Sequence, residues 1–341
     1  MDRIIGWDIG GVNTKAACVA RDTPLRSLVA PFEIQRDPAG LAPLLVEVSA
    51  RLGAGPGTHH AVTMTAELSQ HFRTKREGVR FVLTALDAVA TAERIHVYGT
   101  DGQFRQPADA RDCPLAVAAS NWVAGAAFIA TEIADCIFID TGTTTTDVIP
   151  VVGGAVSATG RTDPARLASG ELVYTGALRT PVEAIVSRVP FRSGLARVSA
   201  ERFALAGDVH LWLGRLAPED YTVPAPDGRP ATREFVRERL ARVICADRDM
   251  VCDSDIDALA AAVAEAQVGM LQDAIGEVRA RVPELRLAVT AGLGEFIAAE
   301  AARRSGLEVE SLGARLGMDA ARAAPAAAVA LLLARSRTVA A

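Results

Sequence analysis

The sequence predicts an α/β protein in which one architecture is built twice. Three observations carry this expectation: a strand, glycine turn, strand pattern around residues 8–15, the same pattern again around residues 140–147, and a length of 341 residues, which at roughly 150 residues per domain suggests about two domains. In order along the chain, residues 3–9 form a short apolar run, Gly10-Gly11-Val12-Asn13 a turn, and residues 14–20 a second apolar run, which together read as a β-hairpin. Glycine and asparagine are expected there to supply positive φ. A third strand near 25–34 and a helix over 41–52 follow, then a strand at 61–65, a helix near 77–92, a strand at 95–99 and a buried helix over 115–131. The hairpin logic then returns, with a strand at 136–140, a small-residue turn at 141–144 and a strand at 145–152. The last third predicts helices over 232–243 and 255–280, a strand at 285–290, a helix over 295–304, a strand at 307–311 and a helix over 319–335. Hairpins followed by helices, twice over, suggest two related α/β domains, expected at residues 1–115 and 116–341.

Composition narrows the function. With 36 basic and 41 acidic residues the formal charge is −5, so no global field draws the chain to nucleic acid or anionic lipid. Five cysteines without a CxxC pair read as reduced thiols rather than a disulfide or zinc scaffold, and Cys245 and Cys252 are expected to be buried. The N-terminal residues show no apolar signal region, so a cytoplasmic protein is expected. The 19 uncharged residues 113–131 include Ser120, Asn121 and many small residues, which favours a buried helix over a membrane span. The Pro-rich stretch 218–230 reads as a surface loop.

Three constellations carry chemistry. In the first, Asp8, Gly10, Gly11, Asn13, Thr14 and Lys15 surround the hairpin turn. Glycine lets backbone N–H groups approach phosphate, Thr14 and Lys15 add a hydroxyl and a point charge, and Asp8 suits a magnesium ion held partly through water. Lys15 and Lys75 are the only lysines among the 36 basic residues, and a compact ammonium fits phosphate where a planar guanidinium does not. The second constellation, Asp140, Thr141, Gly142, Thr143, Thr144, Thr145 and Asp147, repeats the logic, with Asp140 and Asp147 as metal candidates. The third, Thr290 to Glu295, runs a strand into a turn with Gly292 and Gly294 that opens a helix. His59, His60 and His71 lack the carboxylate company of a zinc site.

In order and spacing these segments resemble the sugar kinase, heat-shock chaperone and actin superfamily. The resemblance implies two RNase H-like domains around a central cleft, with phosphate loops at 8–15 and 140–147 and an adenosine-type loop at Gly292 and Gly294. Three further segments are similar to short hydantoinase/oxoprolinase-like proteins: VTMTAEL at 62–68, continuing through Arg73 and Lys75; GELVYTGALRTP at 170–181; and Ala119-Ser120-Asn121-Trp122. Short members of that group are associated with tetrahydromethanopterin-linked one-carbon transfer and methanofuran-type cofactor biosynthesis. This implies a transferase that joins a phenolic γ-glutamyltyramine-type substrate to an aminomethylfuran methyl diphosphate and releases diphosphate. On that reading Glu67 and Lys15 are catalytic, with Glu67 the base for a phenol of pKa about 10. Arg73, Lys75, Asn121, Glu171, Tyr174 and Arg179 bind substrate, and Asp8, Asp140 and Asp147 hold Mg2+. The partners are small molecules carrying diphosphate and phenol, with no nucleic acid and no membrane, in a homodimer. Ala291 stands where a paired glycine is often found, which leaves ATP or ADP binding open. So does the choice against an ATP-dependent small-molecule kinase, a hydantoinase/oxoprolinase-like amidohydrolase or a non-catalytic nucleotide sensor.

Overall fold

Two apolar runs around a glycine turn pair as strands β1 (Ile4–Ile9) and β2 (Asn13–Val19), with Asp8 opposite Lys15 and Ile9 opposite Thr14. In the computed structural model, the described residues are 3–21 and 23–339; Met1, Asp2, Asp22, Ala340 and Ala341, which fall within the two expected domains, lie outside them. Neither Gly10, Gly11 nor Asn13 has a positive φ, contrary to expectation. The three-residue loop closes instead through a Gly10 N–H to Asn13 carbonyl bond of 3.0 Å, a geometry that needs no left-handed residue.

The strands continue as β3 (Arg26–Pro31), β4 (His59–Met64), β5 (Ile95–Tyr98) and β6 (Phe104–Arg105), in the sheet order β3-β2-β1-β4-β5-β6. β1 runs parallel to β4, and β4 parallel to β5, while the outer pairs are antiparallel. Because strand residues alternate between faces, Ile5, Trp7 and Ile9 reach one core, shared with Leu41, Leu45 and Val48 of the helix Leu41–Arg51 and Val79, Val82 and Leu86 of the helix Lys75–Leu86. Gly6 and Ala17 face the other way, toward the alanine-rich helix Ala324–Val339. A Cβ on Gly6 would lie 2.0 Å from the Ala326 carbonyl oxygen, so glycine sets how closely that helix seats.

The second sheet is built from β7 (Cys136–Thr141), β8 (Thr146–Val152), β9 (Ala155–Val156), β10 (Leu172–Val173), β13 (Leu287–Ala291) and β14 (Glu308–Ser311), with β11 (Arg188–Phe191) and β12 (Gly194–Arg197) forming a separate hairpin. Its order is β10-β8-β7-β13-β14, with β9 on β8. A hairpin followed by helix-linked strands therefore recurs, as the repeated motif suggested.

Contacts divide the chain into one unit of residues 1–138, 149–165 and 311–341 and a second of 139–148 and 166–310. This differs from the expected division at residue 115, because the sequence-distant helix Ala324–Val339 packs on β1, β2 and β4. In the second unit, the 29-residue helix Asp253–Arg281 supplies Ile256, Leu259 and Val263 to a core with Val189, Val209 and Leu240. Asp208, wholly buried, pairs with Arg239 at 2.7 Å and accepts the Tyr221 hydroxyl at 3.2 Å, so Tyr221 anchors the Pro-rich stretch, which otherwise runs over the surface as expected.

Three expectations need correction. The helix expected over 115–131 starts only at Asn121 and ends at Ala130, because Ala119 sits at φ 51°, a left-handed conformation that no α-helix continues through. The C-terminal helix is split into Met318–Arg322 and Ala324–Val339; Pro325 has no N–H to donate and so belongs in a first turn. Cys245 and Cys252 are exposed, not buried, and no described cysteine forms a disulfide. Among the described residues no helix is long and apolar enough to cross a membrane.

Candidate active site

In the first unit, β1 and β4 end side by side: Ile9 is in register with Met64, and the Thr65 N–H donates to the Ile9 carbonyl at 2.9 Å. Carboxyl ends of parallel strands are where open α/β sheets bind ligands. Asp8 and Lys15 face each other there, with Lys15 Nζ 3.8 Å from Asp8 Oδ2. Thr14 does not join them. It pairs with Ile9 on the opposite face, is fully buried, and its hydroxyl makes no hydrogen bond, so Thr14 and Lys15 cannot serve one ligand as expected. The turn glycines also differ. A Cβ on Gly10 would meet the Asn13 oxygen at 2.7 Å, whereas one on Gly11 would meet nothing within 4 Å.

Glu67 follows β4 in a single 3₁₀ turn, Ala66–Leu68, and its side chain has no exposed surface. The helix Lys75–Leu86, capped by Thr74 Oγ1 accepting the Glu77 N–H, packs directly beneath it. Gly78 makes that packing possible, since its Cβ would lie 2.5 Å from Glu67 Cα. Lys75 Nζ is 3.7 Å from Glu67 Oε1 and 2.5 Å from Asp163 Oδ2. Neither Glu67 oxygen has a hydrogen bond of normal geometry, although the main-chain N–H groups of Glu67 and Ala119 favour its ionised form. Burial pushes the Glu67 carboxyl up to about 7; Lys75 and those N–H groups oppose the rise, and Asp163 adds to it. A carboxylic acid poised near neutral pH can take up and release a proton under ordinary conditions.

The break before Asn121 contributes to this corner. Ala119, held in its left-handed conformation, is the residue whose N–H acts on Glu67, and the next residue, Ser120, has a buried hydroxyl without a hydrogen bond. Strained backbone and unsatisfied polar atoms gather at functional sites. Asn121 itself is the first residue of its helix. Arg73 is exposed, with its N–H bonded to Glu77 Oε2. His59 and His60 begin β4, at its other end, where His59 Nδ1 lies 2.9 Å from His96 Nε2 and Trp7 Nε1 donates to His60 Nδ1.

In the second unit, the turn between β7 and β8 is closed by the Gly142 N–H bonded to the Thr145 carbonyl at 2.9 Å. The segment 175–180 backs it: the Ala177 N–H donates to the Gly142 carbonyl, and those of Leu178 and Arg179 to that of Thr143. Gly176 sits so close that a Cβ would meet the Thr144 nitrogen at 2.6 Å. Gln267 Nε2 in turn donates to Thr175 Oγ1 and the Gly176 carbonyl, both at 2.9 Å. Gly142 has no positive φ, and a Cβ added to it would meet only the Thr145 oxygen, at 3.6 Å, so like Gly11 it is a glycine the protein itself does not require. Gly292 and Gly294 are the reverse. Gly292, at φ 91°, and Gly294 both press on Thr141, with Cβ positions 2.3 Å and 2.4 Å from its atoms. Their conservation of space serves the end of β7, whatever else binds there.

Two expected ligands are otherwise engaged. Asp147 forms a buried ion pair with Arg166, whose guanidinium also donates to the Glu171 carbonyl. Glu171, with no exposed side-chain surface, pairs with Arg281 at 3.1 Å. Both carboxylates are held in ion pairs of the second unit. Tyr174 is 58% exposed and Arg179 partly so. Among the described residues no group of three or more His, Cys, Asp or Glu side chains is arranged to hold a metal. Magnesium binds through one or two carboxylates, waters and substrate phosphates, so the single carboxylates of Asp8 and Asp140 fit it, whereas Asp147 already faces the Arg166 guanidinium. Sequence reasoning missed Asp163, Arg166 and Gln267. Only Asp163 had a signal, as an acid before proline at a helix start.

A model of the hydantoinase/oxoprolinase family matches residues 58–336. The chain is similar to a Methanocaldococcus jannaschii protein named (4-{4-[2-(gamma-L-glutamylamino)ethyl]phenoxymethyl}furan-2-yl)methanamine synthase, at 35% identity over 97% of each chain. It is also similar to a Methanococcus vannielii protein of the same name, at 32% identity over 58% of this chain and 90% of that one. Among solved structures it is similar to nucleotide-free acetone carboxylase, with a TM-score of 0.60 at 13% identity over 96% of this chain and 70% of the other. Component A of the Acidaminococcus fermentans (R)-2-hydroxyglutaryl-CoA dehydratase gives 0.50 at 11% identity over 99% and 100%. At such identities these structures establish the fold alone.

Proposed function

From the premise that the chain belongs to the hydantoinase/oxoprolinase family, we propose that it is a transferase of methanofuran-type cofactor biosynthesis. It condenses the phenol of a γ-glutamyltyramine-type substrate with an aminomethylfuran methyl diphosphate. The observation that carries this reading is the buried Glu67 carboxyl poised near neutral pH in a chain so similar, end to end, to a synthase whose named product contains a phenoxymethylfuran.

The chemistry follows from the bond that must form. A phenol of pKa about 10 is a poor nucleophile until its proton is removed. Glu67 accepts that proton, the phenolate oxygen attacks the furan-bearing methylene carbon, and the carbon–oxygen bond to diphosphate breaks with its electron pair leaving on diphosphate. The furan ring delocalises positive charge that builds at the carbon. We assign phosphate contact to an open turn, either that at Gly11 and Lys15 or that at 142–145, where backbone N–H groups can approach an anion. Magnesium, held by Asp8 or by Asp140 with water completing its shell, would neutralise charge on the leaving group.

The test is to incubate the purified protein with both substrates and magnesium, without ATP, and to measure diphosphate release together with the ether product by mass spectrometry. Stoichiometric appearance of both is expected. Product formation only with ATP, or none at all, would overturn the reading.

A further inference from the structure

Lys75 has two carboxylates to choose from. It sits 2.5 Å from Asp163 Oδ2 and 3.7 Å from Glu67 Oε1, so its charge lies closer to the more distant residue in sequence, 88 positions along the chain. Charge attraction rises steeply as separation falls, above all away from water. An ammonium free to move to the fully buried Glu67 would form the closer pair there. A tight pair would hold Glu67 as an unreactive carboxylate, because an opposite charge within a few ångström stabilises the ionised form.

We propose that Asp163 is a positioning residue for the condensation: by holding the Lys75 ammonium, it keeps Lys75 from closing on the Glu67 carboxylate and leaves Glu67 free to take the phenol proton. This rests on the reading of Glu67 given above, but its physical core, the control of Glu67 by Asp163 through Lys75, stands apart from the identity of the substrate. Three features support it. The charged groups acting on Glu67 are Lys75 from the helix Lys75–Leu86 and Asp163 from the helix Asp163–Ala168, with the Ala119 N–H from the segment before Asn121. Lys75 lowers the tendency of Glu67 to hold a proton and Asp163 raises it, so the two act in opposite senses on one group. Lysine is also one of only two in the chain, and a compact ammonium can lie between two carboxylates where a planar guanidinium would commit both arms to one of them.

The experiment compares wild type with Asp163→Asn, Asp163→Glu and Lys75→Met. The Glu67 carboxyl is titrated directly by 13C NMR, identified by difference from Glu67→Gln, and the pH profile of kcat/KM is measured alongside. In Asp163→Asn the Glu67 midpoint is expected to fall by about one pH unit or more. The acid limb of the profile should move with it, kcat should drop roughly tenfold as the base weakens, and KM should change little. Lys75→Met should move the midpoint upward, and Asp163→Glu should restore the wild-type value. An unchanged or raised midpoint in folded Asp163→Asn would overturn the proposal; Asp163→Ala gives the same reading should the Asn variant not fold. If the midpoints shift as expected while wild type makes no ether, the function assignment fails and the control of Glu67 by Asp163 stands.

Discussion

A carboxyl whose protonation is tuned for chemistry should destabilise the fold that holds it, and Glu67→Gln measures by how much. In the unfolded chain Glu67 ionises near 4.5, and in the folded protein near 7. Below about pH 4.5 it is protonated in both states and contributes no pH dependence. Between these values the unfolded state has already lost the proton that the folded state keeps, so stability falls as pH rises, and above the folded value the loss is complete. At about 1.4 kcal/mol per pH unit, the total is about 3 kcal/mol, of which about 2 kcal/mol is lost by pH 6. Glutamine keeps the shape and cannot ionise. The variant should therefore match wild type in its pH response below pH 4.5 and gain on it steadily up to pH 8, by on the order of 5–10 °C in Tm. Thermal unfolding of both proteins in matched buffers from pH 4.5 to 8.5, with turnover measured on the same samples, gives the answer. Turnover of the variant should fall roughly 10²- to 10⁴-fold. A Tm difference that stays constant across that range would refute the argument, because it would mean that Glu67 ionises alike in the folded and unfolded chain.

Gly142→Val adds a side chain whose Cβ would meet only the Thr145 oxygen, at 3.6 Å; Tm should barely change while diphosphate affinity, read by calorimetry, falls at least tenfold, and equal binding would show that Gly142 is only a turn residue. Asp147→Ala should behave in the opposite way, losing stability because it strands the buried Arg166 guanidinium, at a cost of about 3–5 kcal/mol; Asp147→Ala combined with Arg166→Met should recover much of that loss in chemical denaturation, and no recovery would place the role of Asp147 outside the ion pair.

The repeated architecture was legible because it is written in local signals. β1, β2, β7 and β8 are apolar or β-branched runs bounded by small residues, and the helices Leu41–Arg51 and Glu295–Arg304 begin and end within a residue of their expected limits. What was hidden is stabilised only by tertiary contact. The hairpin of β11 and β12 and the helix Ala206–Trp212 are too short for periodicity to mark them. They persist because Val189 and Val209 enter the second unit's core and Trp212 Nε1 bonds Asp257. The unit boundaries were hidden for a related reason, since nothing local in an alanine-rich C-terminal helix says that it packs on the first strand of the chain. The split at Pro325 was readable and was missed, whereas the left-handed Ala119 carries no residue signal at all.

The site divides along the same line. Glu67 was legible from its segment, but its burial depends on Gly78 beneath it and its proton affinity on residues brought from three separate stretches of chain. The scarcity of lysine marked Lys15 and Lys75 on the argument that an ammonium suits phosphate. In the structure each ammonium faces a carboxylate, Lys15 at Asp8 and Lys75 at both Asp163 and Glu67. Scarcity therefore has a second physical explanation at position 75. Arginine there would pair with one carboxylate through two parallel bonds, which either pins Glu67 in its ionised form or leaves it beyond reach. A single mobile charge shared unequally between two acids does neither, and the unequal sharing is what keeps a buried carboxyl reactive at neutral pH.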